Sequence, residues 1–289
     1  MTTVFNETCD KLSRTPEFCA WRKGELSAAD YACWLEEHGA LAKHLGLNED
    51  KFNLTLRYST FEQSLSECIS RRVRESLRLT PELVAEVKRI RSAFDHGDYS
   101  TYIFPEEEEV LASFVAAYQS TNVLVVGSYY GYWASMAAAV VFKNGGTITL
   151  VDPDPAAMTL AKLNFEKLFG RVNCTFACTD FFSWLDQADL TRFDTIIQDA
   201  DGDAETTQYE RRGKKIYGPV LDALFSRSKM SNARIIMHNM IISNRFQNRY
   251  FSHRIRRYLE DYRTLFYVLE KAGRRMYEVP TTEGIGVVI

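Results

Sequence analysis

The chain has 289 residues, 46% of them hydrophobic and 25% charged, with a formal net charge of −3. That suits one large domain, or a domain of about 180 residues with a helical extension. The charge balance calls for neither nucleic acid nor a membrane as partner. No apolar run approaches the roughly 20 residues that span a bilayer, and the polar start Met1 to Asp10 lacks a signal-peptide pattern. The six cysteines (Cys9, Cys19, Cys33, Cys68, Cys174 and Cys178) form no C-x-x-C pair, so they read as free thiols in a reducing cytoplasm, the expected compartment.

Residues 1 to about 118 carry no strand signal. Ser27–Leu45 reads as a helix, with Ser27 and Asp30 in capping spacing. Thr60–Arg78 reads as a second. A third opens with Thr80 as N-cap and Pro81 at the first helical position, and runs to about Phe94 before His96-Gly97-Asp98 breaks it. A fourth begins at Pro105, where Glu106 to Glu109 suit the positive end of the helix dipole. From Asn122 short apolar runs alternate with helical stretches. The runs are Val123–Val126, Thr147–Val151, Val172–Ala177, Thr195–Ile197 and Arg234–Met237. The helices are Trp133–Phe142, Ala156–Phe169 and Tyr217–Phe225. This alternation predicts an α/β fold with a mostly parallel sheet and helices on both faces. A long helix over about Asn248–Ala272 and a closing antiparallel pair, Met276–Val279 and Ile285–Ile289, complete the chain. The division is drawn as an N-terminal helical unit over 1–102, a lid or a homodimerisation arm, and a cofactor-binding domain over 103–289.

In such a sheet ligands bind at the carboxyl ends of the strands. The first strand ends in Gly127-Ser128-Tyr129-Tyr130-Gly131, where Gly127 would let the backbone approach a ligand and Gly131 would permit a tight turn into the next helix. The second ends in Asp152, a carboxylate placed to accept ribose hydroxyls, while Asp154 supplies the helix cap. The third ends in Asp180-Phe181-Phe182, which fits either an adenine pocket or a simple helix cap. A glycine turn followed by two strand-end acids points to S-adenosylmethionine.

With those residues in view, the chain resembles the catechol- and caffeoyl-CoA-type O-methyltransferases of the class I superfamily. Their V-L-E-I-G-T-x-x-G-Y-S is similar to Val123-Leu124-Val125-Val126-Gly127-Ser128-Tyr129-Tyr130-Gly131-Tyr132-Trp133. Their I-D-A-D-K is similar to Gln198-Asp199-Ala200-Asp201-Gly202, their A-D-N to Met237-His238-Asn239, and their closing G-D-G-L-x-V to Glu283-Gly284-Ile285-Gly286-Val287. Ile103-Phe104-Pro105-Glu106 matches the family's helix start. The resemblance implies a Rossmann-like seven-stranded sheet with an antiparallel last strand. It also implies cofactor contacts from Gly127, Ser128, Asp152, Asp180 and Phe181, to which the turn adds Tyr129 and Gly131, and the fourth strand end Asp199. Three departures stand out. His238 replaces the middle acid of the family's metal site, so a divalent metal, which would involve Asp199, His238 and Asn239, is doubtful. Gly202 replaces the lysine after D-A-D, and Val125 replaces the acid that steadies the cofactor's ammonium.

Two chemistries are open. In the favoured one a small molecule of specialised metabolism is methylated, with His238 as general base at neutral pH and Asp199 or Asp201 orienting it or acting in its place. In the alternative, the cofactor's own amine expels methylthioadenosine to give azetidine-2-carboxylate, with Tyr129, Tyr130, Tyr132 and Trp133 holding the sulfonium. A third reading is a protein that binds S-adenosylmethionine without turnover, or one that binds RNA through Arg245, Arg249, His253, Arg254, Arg256 and Arg257. Tyr209, Arg211, Arg212 and Tyr217 flank the expected mouth.

Overall fold

The computed structural model describes residues 4–57, 59–170, 173–202, 211–227, 233–243 and 249–289, with side chains from residue 8 onward. The N-terminal helices are α1 (Val4–Leu12), α2 (Pro16–Lys23), α3 (Ala28–Glu37), α4 (Gly39–His44) and α5 (Glu49–Leu54), closed by a 3₁₀ turn at Thr55–Arg57. Then come α6 (Phe61–Glu67), α7 (Arg71–Ser76), α8 (Pro81–Ala93) and α9 (Pro105–Ala117). Ser27 caps α3 by accepting the Asp30 N–H, and Thr80 caps α8 by accepting that of Leu83. Two expected long helices are broken. The first stops at His38, ahead of Gly39, a residue that costs about 1 kcal/mol inside a helix. The second breaks at Cys68, where the chain extends so that Ser70 can cap α7 through the Val73 N–H.

The sheet domain follows as β1 (Asn122–Val126), α10 (Tyr132–Lys143), β2 (Thr147–Asp152), α11 (Pro155–Phe169), β3 (Cys174–Cys178), α12 (Phe181–Leu185), β4 (Thr195–Gln198), α13 (Tyr217–Arg227), β5 (Arg234–Met237), α14 (Arg249–Asp261), α15 (Arg263–Lys271), β6 (Met276–Val279) and β7 (Ile285–Val288). Val172, expected to start β3, lies outside the described residues. The seven strands run β3-β2-β1-β4-β5-β7-β6, all parallel except β7, which is antiparallel to both neighbours. The expected seven-stranded, Rossmann-like sheet is therefore present. The expected single helix over 248–272 is two, α14 and α15. It turns at Tyr262, which is buried and donates its hydroxyl to the Asn239 carbonyl at 2.6 Å.

Alternation along β1 feeds two cores. Val123 and Val125 pack with α9, α10 and α11, while Leu124 and Val126 pack with α12, α13 and α15. The first core also takes in Phe61, Leu65, Val73, Leu77, Val87, Ile90 and Phe94. The helices between 61 and 93 thus pack in the same core as one face of the sheet. A third cluster joins α1–α5 to Phe104, Ile241, Phe251 and Ile255. Arg57 pins this unit to the β6–β7 turn. Its buried guanidinium donates to the carbonyls of Thr281 and Ser243 and pairs with Glu278 at 3.2 Å.

Candidate active site

The switch of direction between β1 and β4 opens a cleft at their carboxyl ends. Gly127 sits there with φ +73°, and a Cβ on it would stand 2.2 Å from Ala200 Cα. The sequence suggests close approach of a ligand at this glycine. The structure assigns it to close approach of two strand ends, with the Asp199 N–H bonded to the Val126 carbonyl. Gly131 (φ +82°) opens α10 against Ala161, as expected of a tight turn. Between them Ser128 is buried and Tyr129, a non-glycine residue at φ +49°, is 42% exposed. Strain of this kind gathers at functional sites. Here it aims the Tyr129 N–H at Asp152 Oδ2, 2.7 Å away.

Asp152 also accepts the Asp154 N–H through Oδ1 at 3.0 Å. Burial pushes its carboxyl above the usual range, while the two N–H donors oppose that rise. Asp154 caps α11 through Ala156 and Ala157, which leaves Asp152 for the cleft. Asp180 does cap a helix. One of its oxygens accepts the Phe182 and Ser183 N–H groups, and Phe181 turns into the core, although both residues still line the cleft. The Arg211 guanidinium lies 3.7 Å from the centre of the Phe182 ring. Tyr130 and Tyr132 line the cleft but commit their hydroxyls elsewhere, Tyr130 to His96 and Tyr132 to Glu108.

The far half of the cleft is built around His238, which is 2% exposed. Its Nε2 is 3.0 Å from Glu107 Oε2, its Nδ1 is 3.4 Å from Asp199 Oδ2, and its ring centre is 5.1 Å from that of Trp133. Burial disfavours the imidazolium, but the carboxylates of Glu107 and Asp199 outweigh it and raise the pKa to about 10. The two carboxylates thus favour the charged ring, and both nitrogens are engaged, which disfavours the expected role as general base. Asp199 is also not a free base. Burial pushes its carboxyl up, but the Lys214 ammonium and His238 together hold it below the usual range. Lys214 Nζ stands 3.0 Å from Asp199 Oδ1, 3.2 Å from the Ala200 carbonyl and 3.9 Å from Asp201 Oδ2. Asp201 is 68% exposed at its side chain, so it borders the site rather than forming it. Tyr217 is buried and donates to the His238 carbonyl. Tyr209 and Arg245 lie outside the described residues.

Glu107 is a site residue that sequence reasoning misses. The acids after Pro105 read as helix-start chemistry, and Glu107 does accept the Phe104 N–H. Yet Glu106, Glu107 and Glu108 are all buried. Glu107 also accepts from Thr281 Oγ1 and from the Glu283 N–H, tying α9, β5 and the β6–β7 turn together. Glu283, buried in turn, pairs with Arg254 and accepts from Asn239. The one local hint is four acids where a helix start needs one or two.

These parts share a single cavity of about 1020 Å³, running from Val125–Tyr130, Tyr132, Trp133, Asp152 and Asp180–Phe182 to Asp199, Lys214, His238, Asn239 and Glu283. Asp50 and Tyr102 from the N-terminal side and Tyr250, His253, Arg254 and Tyr258 from α14 wall it. Arg254 points inward to Glu283, unlike a side chain that grips phosphate on a surface. A divalent cation does not fit the positions that the resemblance implied. Magnesium favours oxygen ligands, whereas Asp199 is occupied by Lys214 and His238, and His238 by Asp199 and Glu107. Among the described residues no three His, Cys, Asp or Glu side chains converge to hold a metal, and no helix is long and apolar enough to cross a membrane.

Residues 76–217 match the model of a protein family described as O-methyltransferase. No curated protein matches the chain by sequence. Among solved structures it is similar to the SAH-bound methyltransferase PaMTH1 of Podospora anserina, at 14% identity and TM-score 0.52, over 76% of this chain and 92% of that one. It is also similar to the O-methyltransferase from Bacillus cereus in complex with SAH, at 18% identity and TM-score 0.48, over 76% and 96%. At 14% identity the likeness to PaMTH1 is one of fold. Family match and strand order agree: residues 76–217, just under half of the chain, are similar to the O-methyltransferase family, and the sheet has the Rossmann-like order.

Proposed function

We propose that the protein transfers a methyl group from S-adenosylmethionine to an oxygen of a small molecule held in the far half of the cleft. The observation that carries this reading is the one continuous cavity. Its lining runs from the Gly127 turn, Asp152 and Asp180 to Asp199, Lys214 and Glu283, so a cofactor in one half and an acceptor in the other would meet near Asp199. In this reading Gly127, Ser128, Tyr129 and Gly131 form the turn under the cofactor's amino-acid end. Asp152 accepts from the ribose, and Asp180 with Phe181 and Phe182 borders the adenine. Asp199 lies between cofactor and acceptor.

The acceptor oxygen attacks the methyl carbon in line. The C–O bond forms as the S–C bond breaks, and its electron pair returns to sulfur, leaving neutral S-adenosylhomocysteine. The acceptor's proton goes to solvent before or during attack, because His238 already carries its proton. The protein's contribution is position and a fixed charge distribution. The cyclisation alternative draws less support, since the cleft continues past the Gly127 turn to Lys214, Glu283 and the α14 side chains, which a reaction within the cofactor alone does not need.

Incubation of the purified protein with S-adenosylmethionine, followed by mass spectrometry, tests the reading. With cofactor alone no turnover is expected, and a panel of phenols, enols and carboxylic acids should yield S-adenosylhomocysteine and a product heavier by one methylene. Methylthioadenosine from cofactor alone would instead establish cyclisation.

A further inference from the structure

We propose that the Lys214 ammonium stands where related enzymes place a divalent cation, and that it holds the acceptor oxygen without a metal. This rests on the methyl-transfer reading above, because it assigns the acceptor to the half of the cleft that Lys214 lines.

The position is built rather than incidental. Gly202 occupies the place where the resembling family carries a lysine. A side chain there is impossible, since a Cβ would stand 1.6 Å from the Arg211 carbonyl oxygen. The chain has returned to that point. Gly202 and Gly213 exchange both backbone hydrogen bonds, at 3.1 and 2.7 Å, and the next residue is Lys214. The lysine lost at 202 is thus delivered from the partner strand of the same bridge. Its ammonium is gripped by three oxygens: Asp199 Oδ1 at 3.0 Å, the Ala200 carbonyl at 3.2 Å and the Asp199 carbonyl at 3.4 Å. The Tyr217 ring lies behind it, 5.3 Å from Nζ to the centroid. A carboxylate, two carbonyls and an aromatic face make a cation site whose occupant is covalently attached.

The chemistry follows from the charge. An ammonium lining the cleft can attract an ionised acceptor oxygen and, by giving up its longest contact, the Asp199 carbonyl at 3.4 Å, donate a hydrogen bond to it, opposing its loss of solvation as a metal would. It cannot remove a proton. The acceptors it suits are therefore those with an acidic oxygen: phenols, enols and carboxylic acids rather than simple alcohols.

The test reads metal uptake and cofactor binding separately. Calorimetry with S-adenosylmethionine on the full chain checks the underlying reading by itself. Electron paramagnetic resonance of free Mn²⁺ then reads the cation site, with the cofactor present. Wild type should remove no Mn²⁺ from solution beyond the Asp199→Asn variant. The double variant Lys214→Met, His238→Asp, which frees Asp199 and restores an oxygen set, should take up about one Mn²⁺ per chain. Stoichiometric uptake by wild type that Asp199→Asn abolishes would overturn the proposal, as would a double variant that binds cofactor and takes up none. If the double variant does not fold, Lys214→Gln decides. Its Kd for S-adenosylmethionine should match wild type while turnover of an acidic acceptor falls by roughly a hundredfold, and unchanged turnover overturns the proposal.

Discussion

Replacing His238 by glutamine removes a buried cation and keeps a side chain of similar size. In the wild type the ring lies between Glu107 and Asp199, and its pKa stands near 10 against about 6.5 in an unfolded chain. A base whose folded pKa is raised contributes its full stability below the unfolded pKa and loses it as pH rises through the folded one. For His238 that contribution is about 5 kcal/mol below pH 6.5, because each tenfold gain in proton affinity on folding is worth about 1.4 kcal/mol. It should erode by about 1.4 kcal/mol for each step of one in pH between 6.5 and about 10. Glu106 and Glu108, pushed up to about 8 and about 7 mainly by burial, also lose stability as pH rises from the ordinary carboxylate range through those values. They are present in both proteins, so the difference between the two curves isolates His238.

Urea unfolding at a series of pH values is the assay. At pH 6.5 His238→Gln should be less stable by about 3–5 kcal/mol, the cost of leaving buried charges without their partner. The gap should narrow steadily towards pH 10. Parallel curves between about pH 6.5 and 9.5 would refute the argument. So would a nitrogen-15 spectrum showing a neutral His238 ring at neutral pH, which would restore it as a candidate base.

Asp152→Asn should weaken S-adenosylmethionine binding by about 1.5–3 kcal/mol, the worth of hydrogen bonds to a charged group, and calorimetry giving an unchanged Kd would remove Asp152 from the ribose site. Gly127→Ala should be poorly folded or lose cofactor binding outright, because its Cβ would meet Ala200 Cα at 2.2 Å and its φ is +73°. A stable variant with wild-type affinity would show that the β1–β4 contact yields. Arg57→Met leaves Glu278 and the Thr281 and Ser243 carbonyls without their donor, so denaturation should show a loss of about 3–5 kcal/mol. A loss under about 1 kcal/mol would mean that the N-terminal helices are held by the apolar cluster alone.

Strand and helix order is legible because it is periodic. Apolar runs of four to seven residues separated by capped helices give the sheet, and Gly127 and Asp152 fall at strand ends by position alone. The capping of α8 by Thr80 and the break at His96-Gly97-Asp98 are legible for the same reason. Helix continuity is less so. His38, Cys68 and Tyr262 interrupt patterns that read as unbroken. The break at Tyr262 serves a tertiary partner, since its hydroxyl donates to the Asn239 carbonyl.

What the sequence determined by itself was local: which segments form strands and helices, which turns end the strands, and which family they resemble. The tertiary structure decided the charges of the site. Glu107 reaches His238 across 131 residues and Thr281 across 174, and Lys214 arrives beside Asp199 through a bridge between two glycines. Whether a histidine is a base or a fixed cation depends on burial and on the two carboxylates that flank it. Those come from α9 and the end of β4, and no spacing along the chain records that they meet.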